Sequence, residues 1–347
     1  MKRVGIYLKS GFANLGFGTG AIPVIIKCLD QQNIPIAKII GCSAGSFAVP
    51  VMAVREYADV LTAWLNIEPP NISHLHVWQT LRHFFSRPSL LDSSPLFKYA
   101  RNFIEPHLDV ACSSEAIPFE IITTDARTGD GVYFANTPEN KDKLVEVCMR
   151  SAGIIPFFGI GNIGGVDLID GGFSDDMPIK RFVDSGCNTV FVIDLYNGLP
   201  AFNENDPKER CWPAMLMRAT QISIQQHSRL RLDLNARINE EIEALENGGT
   251  NITAKSKLRI SDYSKCQVIF ITAGYPIYHI SFREFDDFTK KILVMLGYLS
   301  ADKALRNLGL YPEGSPESVL RMVNEERFDL MPEDYWRSIR EKNGINA

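Results

Sequence analysis

The sequence predicts an α/β protein, a three-layer α/β/α sandwich with a mainly parallel central sheet. Short β-branched runs alternate with helical patterns, and several of these runs are apolar almost throughout. Strands covered by helices bury both of their faces, so continuous apolar runs favour a parallel sheet over one that is half exposed to water. The predicted strands span residues 4–8, 38–40, 119–124, 166–169, 190–195 and 267–271.

Apolar residues at helical spacing predict helices around this sheet. One set lies between the first two strands, a second predicts a long charged helix that ends at Gly248-Gly249, and a third begins after residue 284. The three sets are Ile22, Ile25, Ile26 and Leu29; Leu230, Leu234, Ile238, Ile242 and Leu245; and Phe285, Phe288, Ile292, Leu296 and Leu299. We expect residues 1–308 to form one domain and residues 309–347 to form a C-terminal appendage, helical or partly irregular.

The composition of the 347 residues is that of a soluble globular protein, with 45% hydrophobic and 22% charged residues. A net charge of -5 argues against a general nucleic-acid or anionic-membrane binder, because both would favour a basic surface, although a local basic patch would still allow such binding. The seven cysteines form no C-x-x-C pair, so we expect reduced thiols and a location in the cytoplasm or peripherally at membranes. No apolar stretch predicts a signal peptide or a bilayer-spanning segment, and no residue cluster predicts a metal or a cofactor.

The second predicted strand is followed directly by residues 41–45, which read Gly-Cys-Ser-Ala-Gly. A G-x-S-x-G between a strand and a helix places the serine on a sharp turn with its hydroxyl exposed above the sheet. The same short pattern occurs in plain βα connections that carry no chemistry. The candidates here are Ser43 as nucleophile, Gly41 and Gly45 as turn residues, and Ala44 as a backbone donor to an oxyanion.

A serine hydroxyl needs a neighbouring base, and the strongest candidate is Asp170. It ends a predicted strand and is followed by Gly171 and Gly172. In a parallel sheet the carboxyl ends of the strands share one edge, so Asp170 and Ser43 could meet there. The competing interpretation is an ordinary Asp-Gly turn.

An oxyanion also needs backbone donors, and the glycine-rich residues 10–20 could supply them beside the turn. Gly16 and Gly18 are the candidate donors. The alternative is a dinucleotide-binding fingerprint, but Ala21 stands where its third glycine belongs, and Cys42 and Ser43 stand where an acidic residue would bind the ribose.

The order of these features resembles the patatin-like phospholipase family: strand, glycine loop, helix, strand, G-x-S-x-G and a distant D-G-G. Further segments are similar to that family in the same order, and together they span about residues 3–308. They are residues 90–96 (L-x-D-x-S-P-L), 118–129 (T-D-x-x-T-G), 150–158 (A-S-x-A-x-P-x-x-F), 170–178 (D-G-G, then Met-Pro) and 296–301 (a late Gly-Tyr helix).

The resemblance implies a serine acyl hydrolase with a Ser-Asp dyad that acts on phospholipids or other acyl lipids. Ser43 would attack the ester carbonyl, and Asp170 would take its proton and later activate water. Without an imidazole between them, the carboxylate must lie within direct reach of the hydroxyl, about 2.6–3.2 Å.

Two departures from the family pattern affect this prediction. The family's loop reads G-G-x-R-G or G-G-x-K-G, whereas Phe17 occupies the basic position here. In a second register, which starts at residues 10–11, Leu15 occupies it. Asp175 and Asp176 stand where asparagines are common, and we interpret them as a difference in loop capping.

Two alternative functions remain at this stage. An α/β-hydrolase triad would need a histidine after Asp170, which leaves His227 or His279. A catalytically silent or conditional lipid-binding protein would account for the missing basic residue.

Residues 74–85, which are basic and aromatic, could form an amphipathic helix at a lipid surface or a core helix. Phe157 and Phe158 could line an acyl pocket or the core.

Overall fold

A mixed sheet of mostly parallel strands forms the centre of the fold in the computed structural model. The structure describes residues 3–68, 89, 91–155, 157–196, 198–199, 210–247, 264–274 and 286–310. The strands there are β1 (Val4–Leu8), β2 (Ile36–Cys42), β3 (Phe119–Asp125), β4 (Gly131–Ala135), β5 (Gly161–Ile163), β6 (Val166–Asp170), β7 (Thr189–Ile193) and β8 (Gln267–Ile271).

Helices cover this sheet. They are α1 (Phe12–Gln31), α2 (Val49–Ala53), α3 (Tyr57–Asn66), α4 (Ser94–Ile104), α5 (Leu108–Ala111), α6 (Leu144–Ser151), α7 (Gly172–Asp175), α8 (Ile179–Asp184), α9 (Trp212–Glu246) and α10 (Asp287–Asn307). Short 3₁₀ turns cover Ser43–Phe47, Glu105–His107 and Pro138–Lys143.

The strand order is β5-β6-β3-β2-β1-β7-β8, and β4 pairs with β3 outside this path. β3, β2, β1, β7 and β8 are parallel to their neighbours in that order, whereas β4, β5 and β6 add antiparallel pairs. The predicted α/β fold with a mainly parallel sheet between helices is therefore confirmed.

Both faces of the sheet are buried, as the apolar strands predict. Along β1, Ile6 and Leu8 belong to one apolar cluster, whereas Tyr7, which points to the opposite face, belongs to another. The first cluster includes residues of α1 and α10, and the second includes Phe182 of α8. The alternation of side chains along single strands thus separates two cores, one under each helical layer.

Helices α1 and α10 cross at close range, where each presents a glycine to the backbone of the other. A Cβ on Gly20 would lie 1.8 Å from the carbonyl oxygen of Val294, and one on Gly297 would lie 1.8 Å from that of Phe17. The glycine-rich sequence of α1 therefore allows tight packing between these helices.

Helix α1 also has the length and apolar composition to cross a membrane, and it is the one helix in the described part of the chain that does. This corrects the expectation that no apolar stretch reaches that length. In this fold 78% of its most apolar window is buried, so α1 is placed as a core helix.

Three local predictions differ from the structure. Helix α1 begins at Phe12, so most of the predicted loop 10–20 is helical. Two strands were not predicted: β4, although its Val-Tyr-Phe run is typical of a strand, and β5, which has three residues. β6 runs antiparallel to β3, so it does not join the parallel edge in the way the sequence suggested.

Other predictions fall outside the described residues. These are the amphipathic segment 74–85, His279, the Gly248-Gly249 helix stop and nearly all of the C-terminal appendage. They stay predictions.

Candidate active site

Ser43 occupies a strained turn directly after β2. Its φ is +53°, a left-handed conformation that is uncommon for residues other than glycine and that marks a sharp change of chain direction. Gly45 allows this turn to approach β1, because a Cβ there would lie 2.6 Å from the carbonyl oxygen of Leu8. At Gly41 a Cβ would lie 2.8 Å from Val49. The two glycines of the motif therefore fill the packing role expected of them.

The hydroxyl of Ser43 and the carboxylate of Asp170 are in direct contact. Ser43 Oγ donates a hydrogen bond to Asp170 Oδ2 at 2.6 Å, and both side chains are buried. The other carboxylate oxygen, Oδ1, accepts from the backbone N–H of Gly172 at 2.8 Å. Gly171 donates its N–H to the carbonyl of Ser151 at 3.2 Å. The D-G-G segment thus orients the carboxylate and fixes the turn that follows it.

Strand β3 brings these two residues together. Cys42 pairs with Ile122, and Asp170 pairs with the next residue along β3, Thr123. β6 comes from beyond the end of β2 and runs back toward it, so its last residue meets the start of the serine turn. The predicted meeting is therefore observed, but an antiparallel strand produces it rather than a shared parallel edge.

Two further hydrogen bonds fix the backbone around the serine. The N–H of Ser43 donates to Ser151 Oγ at 2.9 Å. Ser46 Oγ donates to the carbonyl of Ser43 at 2.6 Å. Both partners are buried, so the strained turn is held from two sides.

The pKa of Asp170 is raised to about 7, and burial is the largest of the influences on it. The hydrogen bonds from Ser43 and from the N–H of Gly172 lower the pKa, and the nearby carboxylate of Asp176 raises it further. An aspartate with an ordinary pKa would be a weak base, whereas one that titrates near neutrality can accept a proton from a hydroxyl more readily.

A buried ion cluster lies beside the dyad. Lys9, the residue after β1, places Nζ 3.0 Å from Asp194 Oδ2, 2.9 Å from Gln225 Oε1 and 3.4 Å from Asp176 Oδ2. An ammonium group has three N–H donors, so these acceptors saturate it. Burial lowers the pKa of Lys9, but the two carboxylates outweigh burial and raise it overall.

The cluster anchors the loop between β1 and α1. Ser10 Oγ donates to Asp176 Oδ1 at 2.6 Å, and Ser228 Oγ donates to Asp176 Oδ2 at 2.7 Å. Asn14 donates to the carbonyl of Ser10 at 2.6 Å and accepts from the N–H of Leu195 at 2.7 Å. Asp176 is therefore not a loop cap, as the sequence suggested, but a buried partner of the loop beside Ser43.

Gly16 and Gly18 do not face the serine. Both lie inside α1, where a Cβ on Gly16 would lie 2.3 Å from the Trp64 side chain and one on Gly18 would lie 2.5 Å from Leu8. Their predicted role as oxyanion donors is wrong, because the helix begins four residues before Gly16. Gly11, with φ +113°, stands at the start of α1 and lines the cavities next to Ser43, in agreement with the second register.

Two cavities meet at Ser43. One, of about 140 Å³, is mostly apolar and extends past Phe47, Leu96, Phe157 and Phe158, so these two phenylalanines do line a pocket. The other, of about 90 Å³, is the more polar of the two, and we call it the polar cavity; the ion cluster and Asp170 line it. Ser43, Gly11, Tyr196, Met217 and Gln221 line both.

The sequence of the chain matches a known family over this site. Residues 8–183, just over half of the chain, match the family described as patatin-like phospholipase. The chain belongs to the patatin-like phospholipase family. Twelve chains of solved structures match it, among them the crystal structure of VipD from Legionella pneumophila. That structure is 13% identical with a TM-score of 0.40, over 88% of this chain and 67% of VipD. No curated protein matches the chain.

The histidines do not join the dyad of this patatin-like chain within the described residues. His227 lies on the exposed side of α9 and lines neither cavity next to Ser43. His279 falls outside the described residues. In the part of the chain that the structure describes, no group of three or more metal-ligating side chains comes together.

Four residues of the patatin-like site were not predicted from the sequence: Lys9, Asn14, Asp194 and Gln225. Two of them carried a usable signal, because Lys9 directly follows β1 and Asp194 directly follows β7. In open α/β sheets, sites form beyond the carboxyl ends of the strands, so a charged residue directly after an apolar strand is a candidate. Asn14 and Gln225 lie within helices and gave no such signal.

Proposed function

We propose that this patatin-like protein is a serine acyl hydrolase that cleaves carboxylic esters of phospholipids or other acyl lipids. The observation that carries the proposal is the buried 2.6 Å hydrogen bond from Ser43 Oγ to Asp170 Oδ2. A hydroxyl held directly against a carboxylate that titrates near neutrality has both the geometry and the basicity for nucleophilic attack.

The reaction proceeds in two halves. As Ser43 Oγ bonds to the ester carbonyl carbon, its proton moves to Asp170, and the tetrahedral intermediate then breaks the ester C–O bond. The leaving alcohol takes the proton from Asp170. A water molecule next attacks the acyl-enzyme and gives a proton to Asp170, and Ser43 regains that proton as the fatty acid leaves.

Backbone N–H groups of Gly11 and Ala44 are the proposed oxyanion donors. Both residues line the apolar cavity with Ser43. Gly11 precedes the first turn of α1, where backbone N–H groups have no partner within the helix and the helix dipole favours negative charge. The basic residue of the family's loop is replaced by Leu15, which lines the same cavity.

The two cavities divide the substrate. The apolar cavity suits an acyl chain, because its walls are mainly Phe, Leu, Ile and Ala side chains. The polar cavity suits the alcohol side of the ester, where Thr220, Gln221 and Gln225 offer hydrogen-bonding groups.

Fatty-acid release from a panel of phospholipids and acylglycerols with matched acyl chains tests this proposal. The Ser43→Ala variant should lose at least about 10³-fold in rate, as expected on removal of a nucleophile. Asp170→Asn should lose a comparable factor. Ser185→Ala is the matched control, since its hydroxyl bonds only to the carbonyl of Arg181 on α8. Full activity in Ser43→Ala or in Asp170→Asn would contradict the proposal.

The rival function is a catalytically silent lipid-binding protein, and one observation favours it. Lys9 is the one cation among the described residues that line the two cavities at Ser43, and its donors are already engaged by Asp194, Gln225 and Asp176. Lipid binding without hydrolysis in that panel would favour the rival.

A further inference from the structure

Helix α9 carries an exposed apolar stripe on the side away from the sheet. Among the described residues, nine large hydrophobic side chains are strongly exposed, and six of them lie on this helix. The most exposed of them are Leu230, at 65%, and Trp212, at 59%. We define the α9 stripe as Trp212, Met215, Leu216, Ile222, Leu230 and Leu234.

The six residues of the stripe share one side of the helix. At about 100° per residue, its six members fall within an arc of about 120° around the helix axis. Single exposed hydrophobic residues are normal on protein surfaces, but an aligned set that includes Trp needs a partner.

The charge of this part of α9 indicates which partner. Residues 212–234, which span the stripe, contain three arginines, one histidine and one carboxylate, Asp233, so this part of α9 is basic although the whole chain has a net charge of -5. By the same helical spacing, Arg218 and Arg229 fall along one edge of the stripe, and His227 and Arg231 fall along the other. An apolar stripe bordered by cations on both sides is typical of helices that lie in the surface of an anionic membrane.

The opposite face of the same helix belongs to the candidate active site. Met217 and Gln221 line both cavities at Ser43, and Ile224 and Gln225 line the polar one. Gln225 bonds to Lys9, and Ser228 bonds to Asp176. One face of α9 therefore closes the site, and the other meets solvent.

We propose that the α9 stripe docks the protein onto anionic lipid surfaces. The apolar residues enter the boundary between head groups and acyl chains, and the bordering arginines contact anionic head groups. This places the cavities one helix diameter from the surface that holds acyl lipids. The docking proposal rests on the proposed function for its biological purpose, but vesicle binding can be measured whether or not the protein hydrolyses lipids.

Vesicle binding by the full chain tests the proposal. All variants carry Ser43→Ala, so that hydrolysis cannot alter the vesicles. Co-sedimentation is measured with vesicles of phosphatidylcholine alone and with vesicles that also contain phosphatidylglycerol. The stripe variant is Trp212→Ser with Leu216→Gln, and the charge variant is Arg229→Gln with Arg231→Gln. The matched control is Val110→Ser with Ile160→Ser, which removes two equally exposed apolar side chains from other elements.

The parent chain, which carries Ser43→Ala alone, should bind the mixed vesicles more tightly than the neutral ones. The stripe variant should bind both at least about tenfold more weakly, and the charge variant should lose affinity for the mixed vesicles only, with less dependence on salt. The control should bind like its parent. With Ser43 restored, the stripe variant should still hydrolyse a soluble short-chain ester, so a failed docking surface and a failed catalytic site give different results.

Two results would overturn the proposal. One is that the parent chain does not bind the mixed vesicles, or that the stripe variant binds them as tightly as its parent. The other is a dimer of the parent chain that dissociates in the stripe variant on size-exclusion chromatography with light scattering. That second result would assign the stripe to another copy of the chain.

Discussion

At the scale of single residues, the site depends on one carboxylate that is kept from water. Asp170 is almost fully buried, and burial is the main reason that its pKa rises to about 7. The hydrogen bonds from Ser43 and from the N–H of Gly172 lower the pKa and so limit its rise. The carboxylate therefore still ionises above about neutral pH. In the proposed mechanism, this aspartate would have the base strength that histidine usually supplies.

The pKa of Asp170 predicts how activity depends on pH. In the proposed mechanism the ionised carboxylate is the base, so kcat/KM should rise about tenfold per pH unit below about pH 7 and level off above it. Initial rates on a soluble ester between about pH 5 and pH 9 check this, and the rate of fluorophosphonate labelling provides a second readout. A profile that is flat across neutrality would contradict the assigned base.

The same group makes a prediction about stability. The pKa is higher in the folded protein than in the unfolded chain, so the folded state holds the proton over the range where the unfolded state releases it. The free energy of unfolding should therefore fall as pH rises from about 4 to about 8, by up to about 4 kcal/mol from this residue. In urea titrations at a series of pH values, the free energy of unfolding of Asp170→Asn should lack the part of this fall that comes from Asp170. An equal pH dependence in Asp170→Asn and in the parent protein would contradict the prediction.

Lys9 makes a separate prediction, because it compensates two buried carboxylates. Lys9→Met keeps a long unbranched side chain but leaves Asp176 and Asp194 without their cation. This loss should cost about 3–5 kcal/mol of stability. Adding Asp176→Asn should recover part of that loss, since one uncompensated charge is then removed. Chemical denaturation of the three proteins measures this, and a Lys9→Met protein as stable as its parent would contradict it.

At the scale of elements, β3 explains both what the sequence predicted and what it missed. The G-x-S-x-G and D-G-G motifs predicted the dyad, because short motifs fix local turns. The way they meet follows from pairing Cys42 and Asp170 with adjacent residues of β3, Ile122 and Thr123. Strand direction is a non-local property, so no local pattern in 166–170 revealed that β6 is antiparallel.

Helix α1 gives a second case. Its apolar residues 22, 25, 26 and 29 predicted a helix, and all four are buried. The glycines before them suggested a loop, since glycine is unfavourable within helices. Contacts with Trp64, Leu8 and α10 explain those glycines and override the local preference.

The close crossing of α1 and α10 predicts an unusual order of stability for two glycine variants. In an isolated helix, Ala in place of either glycine would stabilise by about 1 kcal/mol. Here Gly20→Ala should destabilise by about 3 kcal/mol or more, because its Cβ would meet backbone atoms of Val294. Gly18→Ala should cost less, because the nearest atom belongs to the movable Leu8 side chain. Thermal unfolding of both variants measures the order, and a Gly20→Ala protein that melts at or above Gly18→Ala would contradict it.

At the scale of the whole molecule, the sequence predicts the layers and the dyad well, and the surroundings of the site poorly. Apolar strands determine which faces are buried, and this information is local. The ion cluster joins Lys9, Asp176, Asp194 and Gln225 from four separate segments, so its members become recognisable only in the fold. The same holds for α9, whose exposed residues 230 and 234 looked like a core stripe in the sequence.

Across the whole molecule, the two proposals assign two roles to one helix. The inner face of α9 closes the cavities at Ser43 and bonds to the ion cluster, and its outer face carries the apolar stripe. A protein that takes acyl lipids from a surface needs its site close to that surface, and under the two proposals α9 meets this need.

The central claim is that Ser43 is the nucleophile activated by Asp170, and covalent trapping tests it most directly. The full chain is treated with a fluorophosphonate probe, digested, and analysed by peptide mass spectrometry, beside Asp170→Asn and the Ser185→Ala control. We expect one adduct, on Ser43, formed at the parent rate in the control and at least about 10²-fold more slowly in Asp170→Asn. An adduct on another serine, or labelling of Ser43 at an equal rate in Asp170→Asn, would contradict it.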